Sequence, residues 1–165
     1  MSNLPSDLTF HNAHVTDIPT ATFYRIAALR QDVFVVEQDC VYLDLDGRDL
    51  DPAARQLWAE DESGAIAATV RILPERAGGT DDAAHDPTLP STVSIGRVVT
   101  ARAFRGRGIA GALLELAIAA CEGREVELHA QSHLTEWYGR YSFMPDGEEY
   151  LEDGIPHTPM RLRRS

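Results

Sequence analysis

Residues 95–111 read Ile95-Gly-Arg-Val98-Val99-Thr100-Ala-Arg102-Ala-Phe-Arg105-Gly106-Arg107-Gly108-Ile109-Ala110-Gly111. Residues 93–100 are rich in Val, Ile and Thr and predict a strand. A loop with Arg102, Arg105 and Arg107 follows, and then residues 108–121, an apolar run with Glu115 as its only interior charge. That run predicts a helix packed in the core, with Gly123 placed to cap its C-terminus. Free N–H groups at a helix start attract anions, and glycines let a phosphate come close to the backbone. Three arginines reinforce the site. Screening is strong beyond ~8 Å at physiological salt, so this local cluster outweighs an acidic total.

The segment Gly106-x-Gly108-x-x-Gly111 also fits the dinucleotide fingerprint, a weak signal by itself. The loop from Val99 to Gly106 is long for that tight turn, and too few residues follow to build a second mononucleotide half.

Upstream, residues 9–15 suggest a first strand. Pro19 opens a helical pattern in which Phe23, Ile26, Ala27, Leu29 and Val33 recur at three and four residues. Phe34-Val-Val-Glu37-Gln38 ends it, and the acidic residues 44–52 have turn composition. Residues 56–61 and 65–73 predict a β-hairpin around Glu62-Ser63-Gly64. Residues 74–91, with Gly78-Gly79 and Asp81-Asp82, predict a mobile loop. Downstream, residues 126–131 predict a strand and 134–141 a short helix. Strands over 143–150 and 158–162 should flank a turn at 152–156. Strands and helices mix without strict alternation, which favours an α+β architecture within one domain spanning residues 1–165.

A chain of 165 residues with 44 % apolar content can bury a core without disulfides. Its formal charge of −11 argues against nucleic acid or anionic membranes as partners and suits a cationic substrate. Every basic residue is Arg, which excludes chemistry that needs a lysine. Cys40 and Cys121 match no metal spacing, and Cys121 reads as a buried thiol. The His129-x3-His133 spacing joins a strand to a helix start, a poor clamp without a third ligand, so no metal is expected. No stretch resembles a signal peptide or a membrane span, and the chain reads as cytoplasmic.

The pattern Arg105-x-x-Gly108-x-Ala110, after a strand and before a helix, resembles the coenzyme A pyrophosphate signature of the GNAT acetyltransferases. Residues 131–143, Gln131-Ser-His-Leu-Thr-Glu-Trp137-Tyr138-Gly-Arg-Tyr-Ser142-Phe143, are similar to that family's later motif. They depart from it at Gln131, where Asn is common, and at Ser142, which replaces a Gly. Arg30-Gln-Asp-Val-Phe34-Val-Val-Glu37-Gln38, Asp44-Leu-Asp46-Gly47, His129-Ala-Gln131 and Asp153-Gly154-Ile-Pro156-His157 resemble the ElaA-type branch. Together these cover residues 24–160.

The resemblance implies a three-layer α/β/α fold whose mixed central sheet splays between residues 93–100 and 126–131. Acetyl-CoA would lie in the splay, with its pantetheine arm along Val98, Val99 and Thr100. Its pyrophosphate would sit on Arg105, Gly106, Arg107, Gly108, Ile109, Ala110 and Gly111. A small-molecule amine would attack directly in a ternary complex. Tyr138 would then protonate the departing thiolate, since a phenol of pKa near ~10 keeps its proton where a thiol near ~8.5 begins to lose its own. Glu37 is a candidate to receive the amine proton through water. Asp44 and Asp46 are candidates to hold a cationic acceptor, and His129 and Gln131 to line its side of the cleft. A homodimer is an assembly the resemblance allows.

Two other readings stay open. Arg30, Phe34, Glu37, Asp44 and Asp46 also resemble acyl-homoserine-lactone synthases, which would use acyl-carrier protein and S-adenosylmethionine. The chain could also be a non-catalytic acetyl-CoA-sensing module.

Overall fold

The computed structural model describes residues 3–75 and 92–163, so the loop expected over 74–91 lies outside the described residues from position 76 onward. The elements are β1 (Thr9–Ala13), α1 (Thr20–Gln31), β2 (Arg55–Glu60), β3 (Ile66–Glu75), β4 (Thr92–Thr100), α2 (Ile109–Ala120), β5 (Val126–Gln131), α3 (Thr135–Gly139), β6 (Phe143–Pro145), β7 (Tyr150–Glu152) and β8 (Ile155–Leu162). The strands form one mixed sheet in the order β1-β2-β3-β4-β5-β8-β6, with β7 also on β8.

Among the described residues every ladder is antiparallel except that between β4 and β5. This one parallel pair holds only at Val93–Val126 and Ser94–Glu127. On its other edge β4 stays paired with β3 as far as Thr100, but with a fault. Arg71 faces Gly96 while Thr69 faces Val99, so β4 carries one extra residue there, and Arg97 adopts φ 51. Such a bulge bends and twists the strand that bears it. Beyond Ser94, β4 and β5 part, and the backbone of residues 95–100 presents an edge with no ladder partner on the β5 side. This is the expected splay.

Strand alternation divides the core into two layers. Val126, Leu128 and Ala130 of β5 and Leu57 and Ala59 of β2 face α2, where Ile109, Leu113, Leu114 and Ala117 meet them. Tyr138 and Phe143 belong to the same layer. On the opposite face, Trp58 and Val99 pack against Ile26, Leu29 and Val33 of the first helical segment. β3 lies between both layers and is buried along eight consecutive residues.

Three local expectations change. The helix over 108–121 is buried along one face only, with Leu116, Ala119 and Ala120 exposed, because one sheet covers one side of it. Residues 143–150 do not form one strand. They split into β6 and β7, which share β8 as a partner. Residues 34–37, expected to end the first helix, instead continue it, in a π-helical turn over Asp32–Glu37, a distortion common at functional sites.

Candidate active site

The gap between β4 and β5 opens into a cleft of about 1190 Å³ that passes from one face of the sheet to the other. At one end stands the start of α2. Gly106 and Gly108 have φ 81 and 74, a region that L side chains reach at a cost of roughly 1–2 kcal/mol. No side chain caps this helix. Its first bond runs from the Ala112 N–H to the Gly108 carbonyl at 3.1 Å, leaving the N–H groups of Ile109, Ala110 and Gly111 without an intrahelical acceptor. A Cβ at Gly106 or Gly108 would meet nothing within 4 Å, so the approach to those N–H groups is open. An anionic pyrophosphate fits this cradle.

The expected cofactor residues divide by position. Val98, Val99, Thr100, Arg105, Gly106 and Ala110 line the cleft. Ile109 turns its side chain into the core at 1 % exposure, so only its backbone is available to the cradle. Gly111 backs onto Tyr141, whose hydroxyl occupies the space a Cβ would need. Arg107 points away, pairing with Asp7 at 2.7 Å and lying over the Phe104 ring. Its expected contact with a pyrophosphate is a proposal the present side-chain position does not support.

Arg105 is held on three sides. Its Nε donates to the Thr100 carbonyl at 3.2 Å, and its two terminal nitrogens donate to the two oxygens of Glu37 at 2.8 Å each. Glu37 also stands 3.4 Å from Arg102. The Arg105 hydrogen bonds, helped by the charges of both arginines, lower the Glu37 carboxyl to a pKa of about 2. A carboxylate in that state is a poor proton acceptor, which removes the ground for the base role expected of Glu37.

The aspartates also differ from expectation. Asp44 has no exposed side-chain surface. Its carboxylate meets Arg30 Nε at 2.9 Å and Arg97 Nε at 2.8 Å, so it cannot touch an acceptor. Asp49 joins Arg30 and Arg71 at 2.7 and 3.3 Å and accepts from Gln56. Asp46 takes both terminal nitrogens of Arg71 and lines the cleft. Burial alone would raise the Asp46 carboxyl. Hydrogen bonds from Arg71 and the Arg48 amide, with the charges of Arg71 and Arg97, bring it down to about 2 instead. Three arginines and three aspartates thus form a neutral block under α1. Isolated turn composition carries no trace of it.

Tyr138 is 7 % exposed, lines the cleft and packs edge-on against Trp137 and Phe143. Its hydroxyl makes no hydrogen bond to a described residue. Burial pushes the phenol well above its ordinary value, so it holds its proton through the neutral range. On the other face of the sheet, Gln131 donates to Gln38 at 3.1 Å and His129 meets Tyr150 at 2.6 Å. Tyr150, Glu152 and Asp153 complete that wall. Sequence reading missed Tyr150 and Arg97. Only the return of β7 along β8 brings Tyr150 beside β5, and only the bulge turns Arg97 toward the cleft.

The sequence matches the acetyltransferase (GNAT) domain family over residues 48–164. It is 40 % identical to a UPF0039 protein of Mycobacterium tuberculosis over 87 % of this chain and 86 % of that one. The protein ElaA of Escherichia coli is 35 % identical over 93 % and 95 % of the two chains, and its crystal structure superposes with a TM-score of 0.81. An acyl-CoA N-acyltransferase structure from Pseudomonas aeruginosa, 39 % identical, gives a TM-score of 0.80 and covers 94 % of this chain and 99 % of that one. The chain belongs to the GNAT acetyltransferase family, with ElaA among its homologues, and is an acyltransferase whose co-substrate is acetyl-CoA. Among the described residues no helix is long and apolar enough to cross a membrane.

Proposed function

We propose that this GNAT acyltransferase, acting as a single domain, moves the acetyl group of acetyl-CoA onto a primary amine of a small cationic acceptor by direct attack in a ternary complex. The observation that carries this reading is the through-going gap between β4 and β5. It has an uncapped helix start at one end, a buried phenol in its lining and a polar wall on the opposite face.

In this reading Arg105 and the first N–H groups of α2 bind the pyrophosphate, and the open edge of Val98–Thr100 pairs with the pantetheine amides. The Val99 region offers backbone N–H to the thioester carbonyl, a contribution that can reach ~3–4 kcal/mol per donor in other enzymes. Tyr138 donates its proton to the departing thiolate. Glu37 positions Arg105 rather than taking a proton. The preference for a cation rests on Glu152 and Asp153 around the acceptor wall, because Arg71 and Arg97 are already neutralised by aspartates and Glu127 is paired with Arg161. Use of acetyl-CoA and two free cysteines suit a cytoplasmic setting.

The test is a thermal-shift panel with acetyl-CoA, NADH and S-adenosylmethionine, followed by thiol-release turnover on primary amines. A ligand at 100 times its dissociation constant stabilises by about 2.7 kcal/mol. Stabilisation by acetyl-CoA together with turnover on a cationic amine is the expected result. Binding without turnover on any amine would instead make the chain a sensor.

A further inference from the structure

The reaction proposed above needs protons handled at two separate places. The thiolate gains one, and the amine, which is an ammonium ion at neutral pH, must lose one before its nitrogen can attack. Tyr138 belongs to the core layer on the α2 face of the sheet, together with Leu128 and Ala130. Strand alternation puts His129, between those two residues, on the opposite face. The phenol and the imidazole therefore stand on opposite sides of the sheet, and the gap where β4 and β5 part is where both faces meet.

The sheet registers assemble a polar row around His129. Gln131 of β5 lies opposite His157 of β8, and His157 lies opposite Tyr150 of β7. Side chains in register point to one face, so the three stand abreast. Tyr150 reaches back across this row to His129, its hydroxyl 2.6 Å from Nδ1, while its ring stacks on His157. The Ile155 carbonyl accepts from His157 Nδ1 at 2.8 Å, which fixes that ring as a platform. All of these residues line the cleft. Burial, aided by the charge of Glu152, pushes the Tyr150 phenol up, so it stays protonated and able to donate to Nδ1.

We propose that Tyr150 and His129 form the relay that deprotonates the acceptor amine. The ammonium N–H gives its proton to Tyr150 Oη as the Tyr150 O–H passes its own to His129 Nδ1. The nitrogen keeps the electron pair with which it attacks, Tyr150 stays neutral throughout, and His129 becomes an imidazolium that discharges to water at its exposed edge. After attack the C–N bond forms and the C–S bond breaks. The remaining surplus proton on nitrogen leaves by the same path, while the thiolate takes its proton from Tyr138, which regains one from solvent through the cleft. Charged groups facing the pair are Glu127, which is paired with Arg161, and Glu152, which is near His157 at 3.7 Å. Asp153 lies on the adjoining turn.

This inference rests on the proposed function, and its test separates the two. The amine turned over best by the wild type is used with Tyr150→Phe and His129→Gln, each measured from pH 6.5 to 10, with acetyl-CoA affinity recorded in parallel. Tyr150→Phe keeps the ring stacked on His157 and removes only the hydroxyl. Both variants should bind acetyl-CoA as the wild type does and lose about 10²-fold in kcat/KM for the amine at pH 7. The deficit should shrink about tenfold per pH unit as the amine deprotonates in solution. A loss of equal size at every pH would mark the pair as structural, and wild-type turnover in Tyr150→Phe would remove the relay. Both results leave the acetyltransferase reading standing. A wild type that acetylates no amine would overturn that reading itself, and the relay with it.

Discussion

Asp44→Ala decides whether the acidic turn after α1 is an acceptor site or a structural block. The Asp44 carboxylate is shared by Arg30 and Arg97 at 2.9 and 2.8 Å, and the side chains of Asp44 and Arg30 have no exposed surface. Its removal leaves Asp49 as the carboxylate paired with Arg30, and Asp46, at 3.5 Å, as the one paired with Arg97, while both arginines keep their bonds to the residue-44 carbonyl. Breaking a buried pair by deleting one partner costs about 3–5 kcal/mol, because the remaining charge keeps its desolvation penalty. Near Tm a domain of this size loses about 2–4 °C per kcal/mol, so melting should fall by roughly 10 °C. Asp44→Asn, which retains one acceptor oxygen, should lose about half as much. The assay is urea unfolding followed by circular dichroism, with amine KM measured on the folded fraction well below the new melting point. A carboxylate that touched the acceptor would behave in the opposite way. A stability change under about 1 kcal/mol with a tenfold rise in amine KM would falsify the structural assignment.

Other changes probe the remaining elements. Tyr138→Phe should lower kcat by about 10²–10⁴ while acetyl-CoA affinity and melting temperature hold, since the hydroxyl has no hydrogen bond to lose among the described residues; turnover within a few-fold of wild type would exclude it as the acid. Glu37→Gln removes the charge that neutralises Arg105 and should tighten acetyl-CoA binding a few-fold at low salt with kcat little changed. A large fall in kcat there, at unchanged affinity, would restore the base role. Ser142 stands at φ 71, a conformation that costs a non-glycine residue roughly 1–2 kcal/mol, so Ser142→Gly should raise the unfolding free energy by about 1 kcal/mol, read by the same urea titration. An unchanged or lowered midpoint would show that this turn carries no such strain.

Much of the donor side was legible in the chain itself. Helix starts, glycine conformations and strand alternation are local properties, so residues 95–111 announce a strand, an anion cradle and a packed helix without reference to anything distant. Tyr138 followed from the motif around it, and Ser142 is a departure whose φ shows why glycine is usual there. The acceptor side was a different matter. Asp44 and Asp46 look alike in sequence, yet one is sealed between Arg30 and Arg97 while the other reaches the cleft, because α1 crosses the sheet above them. Glu37 reads as a free carboxylate until the end of the π-helical turn sets it against Arg105, 68 residues away. Tyr150 carries no signal until β7 folds back along β8 and lays it beside His129. Charge pairing and proton affinity depend on neighbours a few ångströms away, and for these residues tertiary packing alone supplies the neighbours.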